Sequence, residues 1–174
     1  MALVGIARHV SRCSQHIQLF KAPVRALPRL AYLLREGLAA DLRVKLRLPP
    51  PLANAGKALQ WAKSVVRGVL DTGPTVHKIG LSGNPLFRFY KKPSVASPSP
   101  GYYHSADRFQ GMYVLFAGST WDEASLMEAV LISEFRDTAG NRNVNPGGEG
   151  RQVYDPPYFT YFVFKSLMRP ATRR

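Results

Sequence analysis

The spacing of apolar residues changes at Gly73-Pro74, and that change constrains the fold more than any other feature of the chain. Before it, apolar side chains recur every three or four residues, the period of one helix face. Ala58, Leu59, Ala62, Val65, Val66 and Val69 make the cleanest stripe, closed by Gly73-Pro74. Leu27, Leu30, Ala31, Leu34, Leu38 and Leu42 make another, ending before Pro49-Pro50-Pro51, a break no helix crosses. After Pro74 come short β-type runs, Val76–Leu81, Met112–Phe116 and Tyr158–Phe164. Between the first two, the Ser- and Pro-rich Pro93–Pro100 reads as an irregular surface loop. The expected class is therefore α+β, with a basic helical extension over residues 1–51, a connecting helix over 52–73, a folded domain over 74–166 and a basic tail over 167–174.

The most complete local signal lies between the second and third β-type runs. Thr120 and Glu123 form a capping box: the hydroxyl accepts from the third backbone N–H and the carboxylate reaches back, so a helix should begin at Trp121. On that helix Ala124, Met127, Leu131 and Phe135 define the buried face, and Glu128 lies on the same face. A buried lone carboxylate costs several kcal/mol, so its position asks for a charged partner or a metal ion, unless it sits at a rim and reaches solvent.

Charge narrows the partners. The formal net charge is +13, and residues 1–74 hold twelve Lys and Arg against Glu36, Asp41 and Asp71, a net +9. Such a surplus attracts polyanions, whether nucleic acid, anionic lipid or an import receptor, in a salt-dependent way. The first 35 residues carry six basic residues and no acid, and Leu3, Ile6, Ala7, Val10, Cys13, Ile17 and Phe20 fall on one helical face. That pattern reads as a mitochondrial or plastid transit segment. It also suits a nucleic-acid arm or a helix packed on the domain, in which case a nuclear or cytoplasmic location is expected. No apolar run approaches the 18 or so residues that span a bilayer. Cys13 is the only cysteine, which excludes an internal disulfide, a Cys-rich zinc site and a redox pair, and His9, His16, His77 and His104 show no metal-ligand spacing.

The run VHKIGLSGNPLFRF, followed by MYVLF, EASLMEAVLISEF and NRNVNPGG, resembles the GIY-YIG nuclease superfamily, and more closely its relatives with Lys-Ile-Gly in place of Tyr-Ile-Gly. Residues 78–80 supply Lys78, Ile79 and Gly80, Arg88 follows eight residues later, Glu128 sits in a helix, and Asn143 follows a short loop. The resemblance implies a small three-stranded antiparallel sheet flanked by helices, and hydrolysis of a DNA phosphodiester with one divalent metal, usually Mg2+. Glu128 would be the metal ligand. Arg88 would face the scissile phosphate, a role that suits the planar guanidinium fork. Asn84-Pro85 would start a short helix that aims Arg88 toward the sheet, and Lys78, Gly80 and Asn143 would support the site. Gly147, Gly148 and Gly150 read either as a solvent loop or as a backbone nest for phosphate.

One departure concerns the general base. In the family a tyrosine of the first motif activates water and the second-motif tyrosine supports it. Here the second motif has Lys78, and Gly68-Val69-Leu70, the only upstream tripeptide near the right place, ends in leucine inside a helical pattern. Leucine accepts no proton, so either activity is lost and a nucleic-acid-binding module remains, or another residue takes over the task. The last run, PYFTYFVF, is one source: if it lies beside the Lys-Ile-Gly strand from the opposite end of the chain, Tyr161 or Tyr158 enters the site. His77 and His104 are alternative bases.

Overall fold

The computed structural model describes residues 41–50, 53–148 and 155–168. The transit-type stripe of residues 3–20, the Leu27–Leu38 stripe, Gly150 and residues 169–174 lie outside the described residues.

The first element is one the helical reading passes over. Arg43-Val44-Lys45-Leu46-Arg47-Leu48 alternates basic and apolar residues, the period of a half-buried strand. Val44–Leu46 forms strand β1, with Val44 buried and Leu46 packed against the core. Helix α1, Ala55–Leu70, follows; Asn54 caps it by accepting from the Lys57 N–H, and Ala58, Ala62 and Val66 are buried. Gly68-Val69-Leu70 therefore belongs to a helix, not to a strand that faces a site.

Beyond Pro74 the three β-type runs become β2 (Thr75–Ser82), β3 (Gly111–Gly118) and β4 (Tyr158–Ser166). Between β2 and β3 lie the short helix α2 (Pro85–Tyr90), with Asn84 accepting from Phe87 N–H and Pro85 in the first turn, and a 3₁₀ turn over Tyr102–His104. Helix α3 (Trp121–Glu134) starts where the capping box places it. Thr120 Oγ1 accepts from Glu123 N–H, and the Glu123 carboxylate returns the bond to Thr120 N–H at 3.1 Å.

The sheet corrects one expectation. It has four strands in the order β1-β3-β4-β2, and β1 runs parallel to β3, so the sheet is mixed rather than three-stranded and antiparallel. The three expected strands do pair antiparallel, β2 with β4 and β4 with β3; the addition is β1, drawn from residues assigned to the extension. Its alternating residues bury one apolar row while their basic neighbours stay in water.

The last strand in sequence thus takes an inner position. Tyr158–Phe164 is a nearly unbroken apolar run because both faces of β4 are covered. Phe159, Tyr161 and Val163 join a cluster with Phe89, Tyr102 and Phe109 on one side. Tyr158 and Phe162 join α1 and α3 on the other, through Ala62, Val66, Leu131 and Phe135. The Thr160 hydroxyl donates to the Ala124 carbonyl at 2.7 Å and ties β4 to α3. Strand β2 is left at the sheet edge, where the site lies.

Candidate functional site

Residues from both faces of β2 line a cavity of about 220 Å³ along that edge. The motif residues Lys78, Gly80, Arg88, Glu128, Asn143 and Tyr161 all contribute to its wall. They come from β2, α2, α3, the segment after α3, and β4, and are separated in sequence by up to 83 positions (78 to 161).

Pairing of β2 with β4 sets Gly80 opposite Tyr161. Directly opposed residues point to the same face, so the phenol of Tyr161 lies across position 80. A Cβ there would overlap it, with ring carbon Cε2 only 2.8 Å away. Tyr161 is 1 % exposed. Its hydroxyl lies 2.9 Å from that of Tyr102, and Arg88 Nε donates to it at 3.4 Å. Burial drives the Tyr161 phenol well above its ordinary pKa and the neighbouring Tyr102 adds to this, while the Arg88 charge opposes it.

Helix α2 delivers Arg88, as the Asn84-Pro85 start predicts. Its guanidinium carbon is 5.2 Å from the Tyr102 ring centroid, in cation–π range. Tyr161 chiefly, with Tyr102, raises the Arg88 pKa further against the effect of burial, so the group stays cationic at any working pH. Arg88 is exposed.

Glu128 is 9 % exposed on the buried face of α3. Burial raises its carboxyl pKa, against a backbone bond from Gly148 and the charge of Lys78. Its hydrogen-bond partner among the described residues is the Gly148 N–H, 3.0 Å from Oε2, and the charge of Lys78 acts on it as well. Gly147 and Gly148 both have positive φ, 88° and 77°. These two glycines, which with Gly150 read either as a solvent loop or as a phosphate nest, thus aim the Gly148 amide at a carboxylate.

Asn143 works on the backbone of β2. Its Oδ1 accepts from Ile79 N–H at 2.9 Å and its Nδ2 donates to Ile79 O at 2.8 Å. Two residues earlier the chain does the same with main-chain groups: His77 N–H donates to Gly140 O, and Arg142 N–H to His77 O. Residues 140–143 thus cover the free edge of β2 and fix the Lys78–Gly80 stretch.

The other candidates stand apart from the cavity. His104 is exposed on the 3₁₀ turn, and His77 is fully buried, 5.7 Å from the Phe162 ring. Tyr158 packs edge-on against Trp121 within the core. Sequence reasoning missed Tyr102, which lines the cavity and touches both Tyr161 and Arg88. The only local sign of it is Gly101-Tyr102 closing the Ser/Pro loop.

A divalent cation fits the donor set in a restricted way. No group of three or more His, Cys, Asp or Glu gathers among the described residues. Glu128 therefore offers one carboxylate, leaving water and substrate oxygens to complete the shell, an arrangement that suits magnesium. No described helix is long and apolar enough to cross a membrane. The chain matches no family model, no curated protein and no solved structure.

Proposed function

We propose that this protein is a GIY-YIG-like endonuclease that hydrolyses DNA phosphodiester bonds with one divalent metal, its tyrosine strand moved to the end of the chain. The observation that carries this reading is the cavity at β2. Its lining includes a buried carboxylate, a permanent guanidinium charge and a phenol from the last strand, the phenol held in register with Gly80.

Each side chain has a role that its surroundings suit. Arg88 offsets negative charge on the non-bridging oxygens of the scissile phosphate. Lys78 adds a second positive charge beside Glu128. Tyr161 accepts the proton of the attacking water, and the Arg88 N–H at its oxygen favours the phenolate it needs. Glu128 would hold the magnesium ion, its carboxylate oriented by the Gly148 N–H. When bound, such an ion polarises the phosphate and lowers the pKa of a coordinated water. Asn143 keeps β2 in place beneath these groups.

A second reading, a nucleic-acid-binding module without chemistry, is favoured by one observation. Burial of Tyr161 opposes formation of its phenolate. The full chain incubated with supercoiled plasmid and branched DNA, with and without magnesium and beside Glu128→Gln, separates the two. Metal-dependent nicking that Glu128→Gln abolishes is expected for the enzyme. Binding without nicking, weakening steeply with salt, would establish the module instead.

A further inference from the structure

Tyr102 and Tyr161 hold their hydroxyl oxygens 2.9 Å apart inside the fold, with ring centroids 5.7 Å apart and planes at 66°. A phenol oxygen carries one hydrogen and two lone pairs. The Tyr161 oxygen accepts from Arg88 Nε and shares a second hydrogen bond with the Tyr102 oxygen, in which either phenol can be the donor. Once Tyr161 is ionised only one direction remains, and Tyr102 O–H and Arg88 N–H both donate to one phenolate.

The placement of Tyr102 is heavily determined. Phe109 packs edge-on against its ring at 5.4 Å. Its carbonyl accepts from Phe109 N–H and from the Ser105 hydroxyl. The turn is clasped to the end of α2: Gly101 N–H donates to Lys91 O, and a Cβ on Gly101 would meet Phe89 O at 2.7 Å. Arg88 and Tyr102 therefore belong to one packed unit and reach Tyr161 together. Both tyrosines line the cavity; Tyr102 is 9 % exposed and Tyr161 1 %. The Tyr102 oxygen, 2.9 Å away, offers a proton that leaves Tyr161 one path to the cavity.

We propose that Tyr102 is the positioning residue of Tyr161: it orients the phenol, donates to its ionised form, and relays its proton to solvent. This role stands where Lys78 has replaced the supporting tyrosine of the second motif, and it rests on the endonuclease reading. The relay balances: Tyr161 gives its proton to the Tyr102 oxygen while Tyr102 releases its own to water in the cavity. What remains is a phenolate at 161 and a neutral phenol at 102.

The test is the pH dependence of magnesium-dependent plasmid nicking by the full chain, comparing wild type with Tyr102→Phe, Tyr161→Phe and the double variant. Tyr102→Phe removes one oxygen and keeps the ring between Phe109 and Arg88, and its melting temperature is checked first. A fall in kcat on the order of tenfold to a hundredfold is expected, with KM unchanged. The rising limb of the profile should move up by about one to two pH units, the worth of a hydrogen bond to a charged group. Adding Tyr102→Phe to Tyr161→Phe should cost nothing further. As a second probe, 3-fluorotyrosine at position 102, nearly the same size but more acidic, should change the pH profile without changing the melting temperature. An active wild type in which Tyr161→Phe is dead, yet neither change at 102 moves kcat or the profile, overturns the role of Tyr102 alone. A wild type that never nicks DNA overturns the endonuclease reading, and this inference with it.

Discussion

Gly80 and Tyr161 face each other across β2 and β4, and the phenol of Tyr161 fills the space that a side chain at position 80 would take. The requirement is for room rather than for an unusual backbone, since Gly80 is not among the glycines with positive φ. Tyr161 is buried, and its hydroxyl is tied to Tyr102 and Arg88. Gly80→Ala should therefore cost about 1–3 kcal/mol, the range for overpacking a filled core. Denaturant unfolding measures it, and the double variant with Tyr161→Ala should be less destabilised than the two single losses together. Gly68, on α1 with nothing within 4 Å of the position a methyl would take, is the control: alanine there should stabilise by about 0.5–1 kcal/mol.

Asn143 gives a second measurable contact. Its amide satisfies both the N–H and the C=O of Ile79, the residue between Lys78 and Gly80. Asn143→Ala leaves both groups to whatever water can reach a half-buried edge, at a cost of about 1–3 kcal/mol. Hydrogen exchange locates the effect: the Ile79 amide should lose protection while those of α1 keep theirs. Unchanged exchange at Ile79 would show that another group covers this edge.

What the sequence reveals and what it hides follow the range of the interactions. The Thr120–Glu123 box and the Asn84-Pro85 start are written within four residues, and both helices begin where these signals stand. Strand β1 is three residues long, and its alternation lies next to a leucine-rich helical stripe, so it is overlooked. Glu128 is recognisable as a buried acid that needs a partner. That the partner is a main-chain amide depends on two left-handed glycines about twenty residues away. Tyr102 carries no spacing relation to any motif, because what brings it to Tyr161 is the docking of a turn on α2.

Gly148 offers a test of how Glu128 is held. At φ 77° an alanine is strained by roughly 1–2 kcal/mol, and its Cβ would come 3.3 Å from Ser125 Oγ. Gly148→Ala should turn the amide away from Oε2 and free the carboxylate to rotate. Loss of an outer partner of a metal ligand typically costs about tenfold to a hundredfold in affinity. The magnesium midpoint for nicking and direct manganese binding by calorimetry should therefore both weaken by about tenfold. A midpoint that stays put would mean that Glu128 needs no help from the loop.

His77 predicts the behaviour of the fold toward acid. It is wholly buried, and its Nε2 has no partner among the described residues. Nδ1 lies 3.4 Å from Thr75 O, a weak contact at best. Burial, only partly offset by that carbonyl, lowers the imidazole pKa below its ordinary 6.5. The unfolded chain thus binds the proton more readily than the native one, and stability rises with pH wherever the unfolded state holds more protons. The contribution of the neutral ring is complete above about pH 6.5 and is lost progressively as the pH falls through that value toward the lower native one. Denaturant midpoints measured between about pH 8 and about pH 5 should decline on the acid side in the wild type. In His77→Phe, which keeps an aromatic ring beside Phe162, that decline should flatten, and the difference between the two curves isolates residue 77 from Glu128 and the other histidines. Parallel curves would mean that the imidazole is not held neutral in the core.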